Sequence, residues 1–143
     1  MSKNISAADL NIQMGKDDEH ALFKWLIASF LMGKRIRSEA AANAYRVIVE
    51  KNQRDTPRKL AACTHSQLVK MLGEGGYARY DESTAERLTK LSKKLMDEYG
   101  GKVGNIREAS EDRADFEKHL ADFEGIGPKT VEIFMRDASE VLF

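Results

Sequence analysis

The residues Phe123-Glu124-Gly125-Ile126-Gly127-Pro128-Lys129-Thr130 place two glycines, a proline and a lysine within one turn. Glycine permits φ > 0 and a close backbone approach, and proline suits the first position of a helix. The N–H groups of a helix's first turn lack internal partners and lie at the positive end of its dipole. Beside a glycine turn they make an anion site. The stretch therefore reads as a phosphate grip, with Gly125, Gly127, Lys129 and Thr130 as its contacts. A lysine amine attacks carbon only when unprotonated, a state favoured by desolvation and by neighbouring positive charge. The plainer roles for Lys129 are a phosphate contact or an ion pair with Glu132, three residues on.

Other candidates lie upstream. Lys34, Arg35 and Arg37 form a tight basic cluster, and Arg87, Lys90, Lys93 and Lys94 form a second one. Each is read either as a local basic face that could contact phosphate or as a solvated helix face. Tyr77 and Tyr80 offer rings for stacking on bases, against the alternative of packing at a helix start. His20, His65 and His119 are far apart, and Cys63-Thr64-His65 supplies two ligands where a structural zinc site needs four. Gly125-x-Gly127 follows a helical pattern and not a strand, so it is not a nucleotide-binding loop.

The elements that must hold these residues follow from periodicity and caps. Phe116, Leu120 and Phe123 precede the glycine turn at helical spacing, and Val131, Phe134, Met135, Ala138, Val141 and Leu142 follow it. This predicts a helix–turn–helix unit over about 111–143. Leu22, Phe23, Leu26, Ile27, Phe30 and Leu31 outline the most apolar segment, expected to be the central core helix, with Asp17 or Asp18 as its cap and Gly33 at its end. Ser38 is expected to cap a second helix through Val49, Thr56-Pro57 to open a short third, and Thr64 with Gln67 to form a capping box. A long helix is expected from about Ser83 to Tyr99, closed by Gly100-Gly101, and Lys102 to Ser110 is expected to be a loop with one turn of helix at most. Residues 1–16 form an arm or a short helix, and 17–143 one helical domain. The expected class is all-α, a compact domain of six or seven helices.

At 143 residues, with 42% hydrophobic and 32% charged side chains, the chain has the length of one domain and the composition of a globular protein. No apolar run approaches a membrane span, and the N-terminal residues lack a signal-peptide core, so the expected location is the cytoplasm. The single Cys63 excludes an internal disulfide and a four-cysteine iron–sulfur cluster. With 23 basic and 23 acidic side chains the net charge is zero, which argues against indiscriminate nucleic-acid coating and leaves room for a local basic face.

The hairpin resembles the helix-hairpin-helix of the base-excision DNA glycosylase superfamily that includes endonuclease III. Leu22 to Ser38 is similar to that family's first barrel helix and the loop after it, and Gly76-Tyr77 through Leu88 to a later glycine-tyrosine turn and helix. The likeness spans about Leu22 to Phe143. It implies a glycosylase-type fold that binds double-stranded DNA as a monomer, flips a damaged or mismatched base, and excises it or cleaves at abasic sites. It implies that Lys129 is the Schiff-base nucleophile, and that Lys34 occupies the place of the side chain inserted into the duplex. It further implies that carbonyls of Ala121, Phe123 and Ile126 hold K+ or Na+; no other cofactor is expected. The family's catalytic aspartate lies well beyond the second hairpin helix, whereas Phe143 is 14 residues past Lys129. Asp137, eight residues on, falls about 12 Å along the helix axis and is poorly placed to substitute. The apolar Val141-Leu142-Phe143 end fits a truncation or a partner contact. Two rival readings remain: a helix-hairpin-helix protein that recognises DNA structure without bond cleavage, and a protein-interaction module.

Overall fold

Helix α1 (Glu19–Met32) is apolar on nearly every face, and a helix of that kind is stable only when surrounded. Eleven of its residues are buried, including Trp25, Leu26, Ile27, Phe30 and Leu31. The computed structural model describes residues 5–16, 18–77 and 79–143, and every regular element among them is helical. The helices that follow are α2 (Ser38–Tyr45), α3 (Pro57–Ala61), α4 (His65–Glu74), α5 (Asp81–Tyr99), α6 (Val103–Glu108), α7 (Arg113–Ala121) and α8 (Pro128–Leu142); α2, α6 and α8 pack directly on α1, and α3 and α4 pack on α5. The chain is thus an all-helical, compact multi-helix domain.

Local chemistry sets several boundaries. The Asp18 side chain accepts from the Ala21 N–H at 3.0 Å and caps α1; Asp17, the other expected cap, lies outside the described residues. Thr56 caps α3 ahead of Pro57, and Thr64 and Gln67 bond reciprocally at the start of α4. Ser38 does not cap α2. It is the first helical residue, and the N-cap position falls to Arg37, whose side chain makes no capping bond. Beyond Tyr45 the helix widens into a π-helical run, Arg46–Lys51, that keeps Ile48 and Val49 buried. Helix α5 begins at Asp81, two residues before the expected start.

Three long-range polar contacts fix the frame. The Trp25 Nε1–H donates to the Phe134 carbonyl at 3.0 Å and ties α1 to α8. The Tyr77 hydroxyl donates to the Leu31 carbonyl at 2.9 Å. The Gly104 N–H donates to Glu19 Oε1 at 2.9 Å, so a carboxylate from the start of α1 caps α6. That bond, with the burial of Val103 and Ile106, makes a helix where a loop is expected from sequence. Residues 5–16 contain one 3-10 turn, Ala8–Leu10, and bury Ala7, Leu10 and Ile12. The Ala7 N–H donates to Asp137 Oδ2 at 2.9 Å, which fixes this segment to α8. At the other end Phe143 lies edge-on to Phe116, and the Arg107 guanidinium sits 4.4 Å from its ring centre.

Two glycines at the end of α4 should respond oppositely to alanine. A Cβ on Gly73 meets nothing within 4 Å, so Gly73→Ala should stabilise by about 0.5–1 kcal/mol through helix propensity. A Cβ on Gly75 would overlap the Ala44 Cα, in the backbone of α2. Gly75→Ala should cost about 1–3 kcal/mol by overpacking. Urea melts of the two variants check the opposite signs.

Candidate nucleic-acid interface at the α7–α8 hairpin

The α7–α8 turn is anchored by its apolar residues and exposes its backbone. Phe123 and Ile126 are buried, and Phe123 stacks on Tyr99 at 6.0 Å between ring centres. The Ile126 N–H donates to the Phe123 carbonyl at 3.1 Å and closes the turn. Between these anchors Gly125 takes φ = +90°, and its Cβ, if present, would stand 2.9 Å from Phe30 Cε2. Gly125 is therefore required by the chain's own packing. Gly127 differs: it is the N-cap of α8 at φ = −106°, and a Cβ there would meet no protein atom within 4 Å.

With glycine as N-cap, no side chain caps α8. Pro128 has no N–H, and among the described residues the first α8 amide bonded into the helix is that of Val131, which donates to the Gly127 carbonyl at 3.1 Å. The amides of Lys129 and Thr130 are thus left for an outside acceptor at the positive end of a 15-residue helix. The Thr130 side chain does not join them. It is 2% exposed and packs against Gly33, where an added Cβ would overlap its hydroxyl. Thr130 can offer a ligand only its backbone.

This close approach brings the loop after α1 to the hairpin. Gly33 and Lys34 share one concavity with residues 121–130, Lys129 among them, about 580 Å³ in volume. Lys34 lies over the Phe30 ring, 5.6 Å from its centre. Burial in this setting, and after it the Arg87 cation, hold the Lys34 pKa below the ordinary lysine value. Lys129 is exposed and makes no ion pair with Glu132 or any other carboxylate among the described residues. Arg35 is exposed, and Arg37 reaches only the equally exposed Glu39, at 3.8 Å.

The second basic cluster is largely neutralised. Lys90 bonds Glu124 at 3.3 Å and Glu86 at 3.2 Å, Arg87 lies 3.9 Å from Glu124, and Lys94 bonds Glu98 at 2.8 Å. Of its four members, only Lys93 makes no ion pair among the described residues. Tyr77 is fully buried and serves packing, while Tyr80 is half-buried beneath Arg79 at 5.5 Å. Asp137 is committed to the Ala7 amide. Ala121, Phe123 and Ile126 all line the concavity. The carbonyls of Ala121 and Ile126 accept no backbone N–H from the turn, whereas that of Phe123 accepts one. Among the described residues no group of His, Cys, Asp and Glu is arranged to hold a metal, and no helix is long and apolar enough to cross a membrane.

The two hairpin glycines should separate folding from binding. Gly125→Ala should destabilise by about 1–3 kcal/mol, through left-handed strain and overpacking against Phe30. Gly127→Ala should cost no more than about 1 kcal/mol, the usual price of alanine at an N-cap, yet weaken duplex binding by crowding the Lys129 and Thr130 amides. Thermal melts beside fluorescence-anisotropy titrations check both.

A scan of protein-family models, a search of curated proteins and a search of solved structures each find no match, so the site is read from its own geometry.

Proposed function

We propose that this chain is a helix-hairpin-helix domain of the base-excision DNA glycosylase type, which grips duplex DNA by its backbone and acts at abasic sites through Lys129. One observation carries the reading. Unpartnered amides at the start of α8, an N-cap glycine open to approach, and two lysines converge on a single concavity. Neutral N–H donors and ammonium groups together suit a phosphate of the DNA backbone, with no base contact required.

In this reading Gly127 and the Lys129 and Thr130 amides hold one phosphate, and Arg35 and Arg37 reach others. The Tyr80 ring, half-buried at the start of α5, is a stacking surface at the edge of the interface. A monovalent cation, K+ or Na+, would be held by the carbonyls of Ala121, Phe123 and Ile126 and would fix the turn. Lys129 then attacks the opened sugar of an abasic nucleotide. Its Nζ bonds C1′ and the carbonyl oxygen leaves as water; the iminium so formed acidifies C2′–H, and as water takes that proton the C3′–O bond breaks and the 3′ phosphate departs.

A binding-only reading is favoured by one further observation. Among the described residues no carboxylate lies within ion-pairing distance of Lys129, and Asp137 is engaged elsewhere. Opening an abasic sugar needs less help than expelling an intact base. The domain is therefore expected to trap weakly on abasic DNA and to release little or no intact base.

Borohydride on an abasic duplex should yield a covalent adduct that falls in Lys129→Gln, with affinity only modestly reduced. Binding retained with no adduct from the wild type would select the binding-only reading. Replacing Lys34, Arg35 and Arg37 together with alanine should flatten the dependence of log K on log salt by up to about three contacts' worth. The melting temperature should barely move, since exposed charges contribute little to stability. A triple variant that binds like the wild type would mark the loop as a solvated face.

A further inference from the structure

Lys34 and Lys129 enter the hairpin concavity from different elements, and their surroundings differ. Lys129 stands on the exposed first turn of α8. Lys34 is partly enclosed, with its ammonium over the Phe30 ring at 5.6 Å and no carboxylate within 4 Å among the described residues. The charged groups around it are Arg87 from α5, Asp122 and Glu124 from the turn, and Lys129 from α8. Glu124 is occupied by Lys90 and Arg87, and neither it nor Asp122 comes within ion-pairing distance of Lys34. An amine that is partly desolvated, beside another cation and free of an ion pair has the setting of a nucleophilic lysine.

We propose that Lys34 is a second aldehyde-reactive amine of the hairpin site, able to form a Schiff base with the opened sugar of an abasic nucleotide. Here the abasic sugar as substrate rests on the DNA-binding reading; the reactivity of the amine rests on the concavity itself. The step balances without a co-reactant. The Lys34 ammonium and the C1′ aldehyde give an iminium and one water: Nζ bonds C1′, the C1′ oxygen departs, and two protons from nitrogen leave with it. Burial and the Arg87 cation lower the proton affinity of Lys34, which raises the fraction of free amine near neutral pH.

The test is borohydride trapping on an abasic duplex with wild type, Lys129→Gln, Lys34→Gln and the double variant, at DNA concentrations that saturate each. Lys129→Gln should keep adduct to within about threefold of wild type, peptide mapping should place it on Lys34, and the double variant should give none. Arg87→Gln, made in the Lys129→Gln background, should move the pH midpoint of trapping upward, because removing a neighbouring cation strengthens proton binding at Lys34. Lys129→Gln that binds DNA but forms no adduct, or forms it at another lysine, overturns the proposal and leaves the DNA reading standing. If the wild type does not bind DNA, the DNA reading fails alone, and glyoxylate with cyanoborohydride decides the amine. Faster labelling of Lys34 than of exposed Lys93 supports it, and equal labelling overturns it.

Discussion

The contact on which the site depends is the seating of α1 against α8. Trp25 donates across it to the Phe134 carbonyl, and at the end of α1 Gly33 leaves room for the side chain of Thr130 in the first turn of α8. A side chain on Gly33 would overlap the Thr130 hydroxyl, and in an interior packed as densely as a crystal the helices would have to separate. Since Lys34 follows Gly33 and Thr130 follows Lys129, that separation would open the concavity between the two amines. The packing of Thr130 on Gly33 therefore sets the distance between the partly enclosed Lys34 and the exposed Lys129.

Electrostatics explains how a chain with no net charge could serve such a site. Arg87, Lys90 and Lys94 are spent on Glu124, Glu86 and Glu98, pairs that stand largely in solvent and contribute little to stability. They do keep the α5 face from being a broad cationic surface. Beside Lys93 on α5, the positive groups at the hairpin itself are its amides, Lys129, Lys34 and the two loop arginines. A cationic face this small suits a local grip and not the coating of long stretches of nucleic acid.

Legibility in the sequence followed the range of the interaction. Caps at Asp18, Thr56 and Thr64 are decided within three or four residues, and all three stand in the structure as the sequence implies. The hairpin was legible for the same reason, because the apolar anchors Phe123 and Ile126 and the two glycines lie within five positions of one another. Helix α6 was not, since its cap is Glu19, 85 residues away. Ser38 looked like a cap because its type favours that position, yet the helix begins at it. Tyr77 was legible as either a stacking ring or a packing residue, and the fold decides for packing, with its hydroxyl on the Leu31 carbonyl. The shielding of Lys34 was equally hidden, because Phe30 and Arg87 come from two helices that sequence spacing does not bring together.

Under the proposed function, the hairpin would also resolve a conflict inherent in using lysine at a phosphate. A bound phosphate favours the ammonium form of any nearby amine, which strengthens the grip and suppresses nucleophilic attack. Neutral donors avoid the conflict, because an amide N–H holds an anion without a proton to lose. In this chain the open donors belong to the backbone of Lys129 and Thr130, whose neighbour Gly127 has no side chain to obstruct them. Gly125 answers to Phe30, whereas Gly127 answers to nothing inside the protein. With a phosphate carried by backbone amides, the amines lining the same concavity are not needed to neutralise it. That division of labour separates a surface that only binds phosphate from one that can also do chemistry on the sugar beside it.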